Sequence, residues 1–392
     1  MQDYRLNRLR EAGRSHGFDC LVASSAQNIA YMTGGYRSIG QSVSASTQIY
    51  AVQSFATGKI SYVISVADMP NVLEFAGTDA IIYAYGPFHF EFEPDQTPFT
   101  LAAMRICEQR YKTAEEALCA AVHDAGIHPG FDETHINFAL AERIAGLLSL
   151  PALPAASAAF REARRIKHPD EIRMLQESAR IAEAALLEAL DGIKPGITEA
   201  ELQLRYQQAV IRRGANPYFF VATTAHRAAF VDAHNTALPI QEGDMIRFDF
   251  GCIKDGIYSD LARTAVMGHA TPEVETAYRA VEAGAQAAFA KLRPGAIASE
   301  IFEAAVAATR AAGLPDYARS HCGHGIGLEG YDVPSIAPGV SDTIEKNMVL
   351  CIETPYYRIG WGGVQVENTV AVTETGFTFL DSGNTALIVI PV

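Results

Sequence analysis

The chain has 392 residues, more than the roughly 250–300 at which a single hydrophobic core usually stops growing, so we expect two domains. Hydrophobic residues make up 49% and charged residues 19%, a composition that excludes an intrinsically disordered chain. The 31 Lys and Arg residues against 45 Asp and Glu residues give a net charge of −14, which disfavours nucleic acid and anionic membrane surfaces as partners.

The sequence carries no feature typical of a secreted or membrane protein. Residues 1–5 (MQDYR) start no apolar core of signal-peptide type, and no apolar run approaches the roughly 20 residues of a transmembrane helix. The cysteines lie far apart, at Cys20, Cys107, Cys119, Cys252, Cys322 and Cys351. Without a Cys-x-x-Cys pair they indicate reduced thiols, not a disulfide framework or a thiolate metal site. We therefore predict a cytoplasmic protein.

The first part of the chain, residues 1–160, is predicted to be an α/β domain. Helices are expected over residues 4–16, near 97–125 and near 134–149. Strands are expected over 18–23, 49–55 and 60–66, and the segment 28–35 ends in a glycine turn. Pro151, Pro154 and a run of small residues then indicate a linker.

The second part, residues 161–392, opens with an amphipathic helix and contains an internal repeat. Pro169 suits the first turn of a helix. One apolar stripe follows at helical spacing, formed by Ile172, Leu175, Ala179, Ala182, Leu186 and Leu190. Residues 194–202 are echoed by 293–301, and Thr198 with Glu201 predicts a capping box at a helix start. Each repeat leads to an apolar strand with a carboxylate, and two such halves facing each other would form a cleft.

Four carboxylates stand in strand-like surroundings. Glycines at 251 and 256 predict a hairpin that brings Asp249 and Asp260 onto adjacent strands. Glu353 lies inside an apolar strand, where an uncompensated carboxylate is costly, and Glu367 repeats this pattern. Solvent-facing aspartates, and an edge position for either glutamate, are the alternative interpretations.

One histidine, His324, lies in the glycine-rich segment 321–334 (HCGHGIGLEGYDVP). Glycines let the backbone approach a neighbour closely and carry the imidazole into a cleft. A phosphate-binding loop is the rival interpretation, but no Lys-Ser or Lys-Thr follows and no βαβ unit precedes the segment. A structural histidine in a turn is the other alternative.

The four carboxylates and the imidazole are together predicted to converge on one cleft. Without counter-charges the carboxylates would repel one another, and some would take up protons. A pair of divalent cations removes that repulsion, and oxygen-rich ligation with one nitrogen suits Mn, Co, Fe or Zn. Two such metals can share a water, lower its pKa and polarise a carbonyl oxygen, so these residues predict a dinuclear hydrolase.

These residues resemble, in kind and order, the metal ligands of the superfamily of methionine aminopeptidase, aminopeptidase P, prolidase and creatinase. The matching residues are Asp249, Asp260, His324, Glu353 and Glu367. The resemblance implies an α+β catalytic domain of the pita-bread fold over residues 161–392, with a curved, mostly antiparallel sheet flanked by helices and an internal pseudo-twofold repeat. The first domain is similar to that of the prolidase and creatinase branch at Asn28, Tyr31, Thr33 and Gly34.

The resemblance also implies catalytic roles. Glu353 would accept the proton of the metal-bridging water and later pass it to the leaving nitrogen, as general acid–base catalysis requires. A histidine upstream of Asp249 would contact the substrate carbonyl or the developing oxyanion. His234 is the candidate and His226 the alternative, and an ordinary surface histidine is a third interpretation.

On the substrate side the sequence departs from the Xaa-Pro enzymes that it resembles. Those enzymes usually have His-Glu or His-Asp where this chain has Tyr331-Asp332, and they tend to carry Arg where it has Gln365. His321 lies near the place of a second substrate histidine. We take His321, Tyr331 and Gln365 as substrate-binding candidates, and the metal chemistry is better supported than proline specificity.

The resemblance implies a dinuclear metal-dependent hydrolase of a C–N bond, foremost an Xaa-Pro dipeptidase or aminopeptidase-P-like peptidase that uses two divalent metal ions, with Mn foremost and Co, Fe or Zn as alternatives. The alternative is a creatinase- or ectoine-hydrolase-like enzyme acting on a small non-peptide amide, which Tyr331 and Gln365 favour. A non-catalytic binding scaffold is the remote alternative, and the retention of all five ligands argues against it. In either enzyme the expected partner is a dipeptide or another small molecule.

The prolidase and creatinase branch also implies a homodimer. In that branch the first domain of one subunit can reach the active site of its partner. Tyr36 or Arg37, in the segment 34–37 (GGYR), would then line the neighbouring pocket. A solvent-exposed turn is the alternative interpretation of this segment.

Overall fold

The computed structural model describes residues 1–44, 47–94 and 97–392, and the chain divides into two compact units, Met1–Arg164 and Arg165–Val392. Each unit has hydrophobic core residues of its own. In the described part of the chain, no helix combines the length and the apolarity needed to cross a membrane.

Five strands form the sheet of the first unit. They are β1 (Cys20–Ala23), β2 (Tyr50–Ser54), β3 (Ile60–Ser65), β4 (Ile81–Tyr85) and β5 (Pro129–Phe131). Their order is β4-β3-β2-β1-β5, with antiparallel pairing of β2 to β1 and β3 and parallel pairing of the outer strands. The neighbouring strands predicted over 49–55 and 60–66 are thereby confirmed as β2 and β3.

Eight α-helices are described between residues 1 and 165. They are α1 (Gln2–Ser15), α2 (Ala26–Thr33), α3 (Ile39–Val43), α4 (Met69–Ala76), α5 (Pro98–Glu108), α6 (Ala114–Ala125), α7 (Phe138–Leu147) and α8 (Ser157–Arg165). The helical segment predicted near 97–125 is two helices, because Thr113 starts α6 with a capping box to Glu116. The glycine turn predicted after residue 28 is the end of α2, which Gly34 closes in the left-handed conformation at φ 87°.

A buried carboxylate, Asp132, ties the end of β5 to the start of α2. Its Oδ2 accepts hydrogen bonds from Ser25 N at 2.9 Å, Ser25 Oγ at 2.6 Å and Asn28 Nδ2 at 2.8 Å. Burial raises its pKa, but these bonds outweigh burial and hold the pKa of Asp132 below its ordinary value. Asn28 therefore has a structural role in this unit, as a partner of a buried charge.

The second unit contains a ten-stranded sheet and a separate two-stranded hairpin. Its strands are β6 (Asn216–Thr224), β7 (Met245–Lys254), β8 (Ile257–Tyr258), β9 (Leu261–Met267), β10 (Gly323–Gly325), β11 (Asp332–Ser335), β12 (Val349–Glu353), β13 (Tyr356–Arg358), β14 (Gly362–Val364), β15 (Glu367–Val372), β16 (Phe377–Phe379) and β17 (Ile388–Ile390). The main path is β11-β10-β12-β15-β9-β7-β6, while β13 and β14 form the hairpin. Pairing is antiparallel throughout except between β17 and β9, which confirms the mostly antiparallel sheet.

Two pairs of helices cover this sheet. They are α9 (Pro169–Leu190) with α10 (Glu199–Arg212), and α11 (Pro272–Lys291) with α12 (Ala298–Ala311). The first pair shares a core with β6, β7 and β9, and the second pair shares one with β12 and β15. Leu175, Ala179, Ala182 and Leu186 of the predicted stripe are buried in α9. Helices packed on an antiparallel sheet make this unit α+β, as predicted.

The internal repeat has the same backbone contacts in both copies. Ile240 N donates to Ile197 O at 2.8 Å in the first copy, and Ile344 N donates to Ala296 O at 2.8 Å in the second. Each copy thus closes a short bridge before its helix, at α10 and at α12. The copies differ at the cap: Thr198 forms the predicted capping box with Glu201, whereas α12 has Ile297 at the N-cap without a side-chain cap.

Candidate metal centre and active-site cavity

Strand register brings three of the candidate ligands onto one face of the sheet. Asp249 on β7 and Glu367 on β15 both pair with Ala262 of β9. Glu367 also pairs with Glu353, the last residue of β12. Since directly paired residues of antiparallel strands point to the same side, these three carboxylates share one face.

The other two candidate ligands reach that face from neighbouring positions. Asp260 lies two residues before Ala262, and His324 of β10 pairs with Cys351, two residues before Glu353. Side chains two residues apart in a strand lie on the same side. The predicted hairpin is also confirmed, because β7 and β9 pair directly.

Four of the five candidate ligands are buried, and Asp249 is partly exposed. His324 Nε2 lies 3.7 Å from Asp260 Oδ2 and 3.9 Å from Glu367 Oε1. Asp249, Asp260 and Glu367 each place one oxygen within 4.8 Å of the others. Asp260 is 6% exposed, and His324 and Glu367 are each 2% exposed. These separations exceed those of hydrogen bonds and leave room for a shared cation.

Unpartnered buried atoms show that these residues fit divalent cations. His324 Nδ1 lies 2.9 Å from Gly325 O, so that nitrogen carries the proton and Nε2 keeps its lone pair. Neither His324 Nε2 nor Glu367 Oε1 has a hydrogen-bond partner among the described residues. Leaving such buried groups unsatisfied costs about 1–3 kcal/mol each, a cost that a bound cation removes.

Three of the carboxylates have raised pKa values in this setting. Burial raises the pKa of Asp249 to about 6, with a further rise from Glu353. Burial also raises the pKa of Asp260 and Glu367 well above the ordinary range, and the neighbouring carboxylates add to it. Since a bound cation favours the ionised form, metal binding reverses these shifts and releases protons.

Glu353 differs from the other carboxylates because Arg319 and His321 face it. Burial acts to raise its pKa, but His321 and Arg319 outweigh burial and hold the pKa of Glu353 below its ordinary value. His321 Nε2 lies 2.8 Å from Glu353 Oε1, and Arg319 Nη2 lies 3.5 Å from Glu353 Oε2. Glu353 therefore stays ionised and is able to accept a proton.

Cys351 lies beside the candidate ligands, although the sequence indicated no thiol there. Its Sγ is within 4.8 Å of ligand atoms of His324 and Glu367. Burial raises the pKa of Cys351 well above its ordinary value, so the group is a thiol, and Sγ lies 3.7 Å from Asp260 O. Oxygen atoms of the four carboxylates still outnumber this single sulfur among the donor atoms at the site.

The glycines around His324 allow close packing of strands. A Cβ on Gly323 would lie 2.3 Å from Cys351 O, and a Cβ on Gly325 would lie 2.3 Å from Val333 O. Residues 323–325 therefore form β10, an inner strand between β11 and β12. This pairing excludes the rival interpretation of residues 323–325 as a phosphate-binding loop.

A cavity of about 560 Å³ opens on the face that carries the carboxylates. Its wall includes Gln203, Tyr218, Phe219, Phe220, Val221, Asp232, Ala233, His234, Asn235, Asp249, Asp260, Gly330, Tyr331, Glu353 and Glu367. Tyr331 is 64% exposed, and its ring stacks on His324 with centroids 3.9 Å apart. Tyr331 thus contacts a candidate ligand and the cavity at once, where a substrate would meet it.

The structure separates the two candidate histidines upstream of Asp249. His234 lines the cavity, and its segment is held by Asn235, which accepts from Ala222 N at 2.7 Å and donates to Phe220 O at 2.7 Å. His226 packs against Phe230, with ring centroids 6.0 Å apart, and does not line this cavity. The geometry therefore favours His234.

Two substrate-binding candidates contact the candidate ligands but are not part of the cavity wall. Gln365 is 1% exposed, and its Nε2 lies 3.3 Å from Asp249 Oδ2. His321 contacts Glu353, as described above. The sequence placed both at the substrate because it could not show which way each side chain points, and a substrate contact by either stays a prediction.

Sequence reasoning missed two arginines of the site. Arg247, two residues before Asp249 on β7, is fully buried, and Arg319 faces Glu353. The sequence could have indicated Arg247, because a charged residue stands there in the largely apolar segment 245–250 (MIRFDF). The same pattern pointed to Glu353 in its own strand. Arg319 precedes the glycine-rich segment in a loop and carried no such signal.

The fold and the site define a metal-dependent hydrolase of the α+β class, and the comparisons with known proteins agree. A model of metallopeptidase family M24 matches residues 173–374, and the chain belongs to this family. It is a metal-dependent peptidase of the two-domain, pita-bread type.

The chain is similar to curated and solved proteins at modest identity. It is 29% identical to an Xaa-Pro dipeptidase of Pyrococcus furiosus over 219 residues, 55% of this chain and 63% of that protein. It is 22% identical to an Xaa-Pro dipeptidase of Pyrococcus horikoshii over 327 residues, 80% of this chain and 90% of that protein. The crystal structure of dipeptidase PepE from Mycobacterium ulcerans superposes with a TM-score of 0.81 at 22% identity, covering 100% of this chain and 98% of that one, which shows the shared fold.

Proposed function

We propose that this metallopeptidase is an Xaa-Pro dipeptidase or aminopeptidase-P-like enzyme with a dinuclear metal centre. The observation that carries the proposal is the convergence of five candidate ligands, of which four lie on the wall of one cavity and His324 lies directly beside them. The relatives named Xaa-Pro dipeptidase support the substrate class. The ligands would be Asp249, Asp260, His324, Glu353 and Glu367.

The donor set supports hard or borderline divalent cations, with Mn foremost and Co, Fe or Zn as alternatives. Carboxylates able to bridge two cations would explain why so many of them share this face. When bound, two metals supply a water of lowered pKa and polarise the carbonyl oxygen of the substrate.

The remaining catalytic roles would be carried out by three side chains of the cavity. Glu353, kept ionised by Arg319 and His321, would accept the proton of the attacking water and pass it to the leaving nitrogen. His234, which also lines the cavity, would donate to the carbonyl oxygen as negative charge develops on it. Tyr331 would pack against the substrate beside His324.

The test is the release of free proline from a panel of Xaa-Pro dipeptides, with added Mn²⁺ and with a chelator. We expect release that requires the metal. Asp249→Asn should reduce metal affinity and proline release by about 100-fold or more, because a ligand is lost. Asp244→Asn is the matched control: Asp244 adjoins the same strand but accepts from Gln241 N at 2.8 Å, away from the cavity wall. Undiminished release by Asp249→Asn would contradict the proposal.

A second candidate function is hydrolysis of a small non-peptide amide, as in creatinase- or ectoine-hydrolase-like enzymes. Tyr331 favours it, since a tyrosine on the cavity wall cannot supply the cation of a histidine. No proline release from metal-loaded protein, together with turnover of such an amide, would establish this alternative.

A further inference from the structure

The metal centre adjoins a buried arginine, Arg247, on the face that carries the ligands. It lies two residues before Asp249 on β7, so both side chains point to the same side of the sheet. Arg247 is 0% exposed and is among the largest fully buried side chains. Burying a guanidinium is costly unless its N–H groups form hydrogen bonds, so the groups that accept from Arg247 indicate the role of this side chain.

The guanidinium of Arg247 holds a loop on one side. Its Nε donates to Ala228 O at 3.0 Å, and its Nη2 donates to Phe230 O and to Val231 O, both at 2.7 Å. The next residues of this loop, 232–235, line the cavity and include His234. Arg247 therefore holds the backbone immediately before the cavity wall.

The same guanidinium reaches the metal centre on its other side. Its Nη1 lies 3.4 Å from Asp249 Oδ2 and donates to Gln365 Oε1 at 3.0 Å. Gln365 Nε2 in turn lies 3.3 Å from Asp249 Oδ2, and Tyr357 OH donates to Gln365 Oε1 at 3.2 Å. Asp249 is thus oriented directly by Arg247 and also by the side-chain amide of Gln365, which Arg247 contacts in turn.

We propose that Arg247 is a positioning residue that couples the metal centre to the cavity loop, because one guanidinium holds both Asp249 and three backbone carbonyls of that loop. Gln365 is the relay between Arg247 and Asp249, which accounts for a buried amide at that position. The inference deepens the proposed function and rests on it, because it takes Asp249 as a metal ligand. It follows that displacing Arg247 disturbs metal affinity and loop order together.

The test measures Mn²⁺ affinity by calorimetry and amide hydrogen exchange over residues 229–236. Arg247→Met should weaken Mn²⁺ binding by about 10–100-fold, the usual effect of removing a group that orients a ligand. It should also speed exchange in the loop. Arg164→Met is the control: Arg164 is 4% exposed and binds Asn28 in the first unit, so it should change neither quantity.

A double variant separates positioning from a merely structural role. Gln365 Nε2 already lies 3.3 Å from Asp249, so an arginine side chain at position 365 also reaches that carboxylate. Arg247→Gln combined with Gln365→Arg should recover Mn²⁺ affinity relative to Arg247→Gln alone, while the loop stays unprotected. An affinity no better than that of the single variant would overturn the proposed link to Asp249.

A third variant keeps the proposal testable if Arg247→Met does not fold. Gln365→Leu retains Arg247, and we expect weaker Mn²⁺ binding with wild-type exchange in the loop. Wild-type Mn²⁺ affinity in a folded Arg247→Met would overturn the inference and leave the proposed function standing. A wild-type protein that binds none of Mn²⁺, Co²⁺, Fe²⁺ and Zn²⁺ would instead overturn the proposed function, and with it the coupling to the metal centre.

Discussion

At the scale of single residues, neighbours decide what each carboxylate of this cavity does. Asp260 and Glu367 meet other carboxylates and little compensating charge, so burial raises their pKa. Glu353 is as buried but faces His321 and Arg319, and its pKa is lowered. Asp260 and Glu367 therefore need a bound cation to ionise, whereas Glu353 is ionised without one.

This division predicts the pH dependence of metal binding. The pKa of Asp249 is raised to about 6 in the metal-free protein, so the carboxyl is protonated below that value. A cation must then displace a proton, and we expect Mn²⁺ affinity to fall as the pH drops through about 6, by about tenfold per pH unit for each proton displaced. Calorimetry in buffers of different ionisation enthalpy will measure the released protons. An affinity that is constant across this range would contradict the assignment of Asp249 as a ligand.

At the scale of secondary-structure elements, the two copies of the internal repeat differ in how the N-terminus of their helix is capped. Both copies form the same bridge before their helix, but only α10 has a side-chain cap. At α12 the N-cap is Ile297, while Glu300 stands at the position that Glu201 has in α10. An N-terminal N–H of α12 thereby lacks the side-chain partner that Thr198 supplies in α10.

We expect Ile297→Thr to complete a capping box with Glu300 and to stabilise the second unit by about 1 kcal/mol. The matched variant Thr198→Ala, which removes the existing cap of α10, should destabilise it by about the same amount. Urea denaturation followed by circular dichroism will measure both changes in the free energy of unfolding. A loss of stability in Ile297→Thr would mean that the apolar contacts of Ile297 outweigh a cap.

At the scale of the whole molecule, the homodimer stays a prediction. Tyr36, one of two residues expected at a partner's pocket, is 4% exposed and packs among Tyr62 and Phe75 in its own unit. Its hydroxyl donates to Asp68. The expected contact across a dimer therefore falls to Arg37, which is exposed.

We expect sedimentation velocity to give twice the mass of one chain, and Arg37→Ala to raise the KM for a dipeptide with little change in that mass. The physical reason is that a cation at a pocket rim interacts with a charged substrate but contributes little to a large interface. A monomer with full activity would contradict the dimer.

The sequence by itself predicted two domains, the helix α9, the starts of α10 and α12, the strands that carry the carboxylates and the candidate ligands. Those signals are local: a stripe of apolar residues in α9, a capping box at Thr198, and carboxylates such as Glu353 in strands that should be apolar. Burying a charge is costly wherever the strand lies in the sheet, so the sequence alone indicates such residues as candidates for a functional site.

Only the tertiary structure decided which groups surround those ligands. Arg247 and Gln365 are separated by more than a hundred residues, and their contact exists because β7, β9 and β15 are neighbours. The same holds for Cys351 beside His324 and for the choice of His234 over His226. Side-chain direction depends on strand register and loop path, which contacts between distant segments determine and local sequence patterns do not.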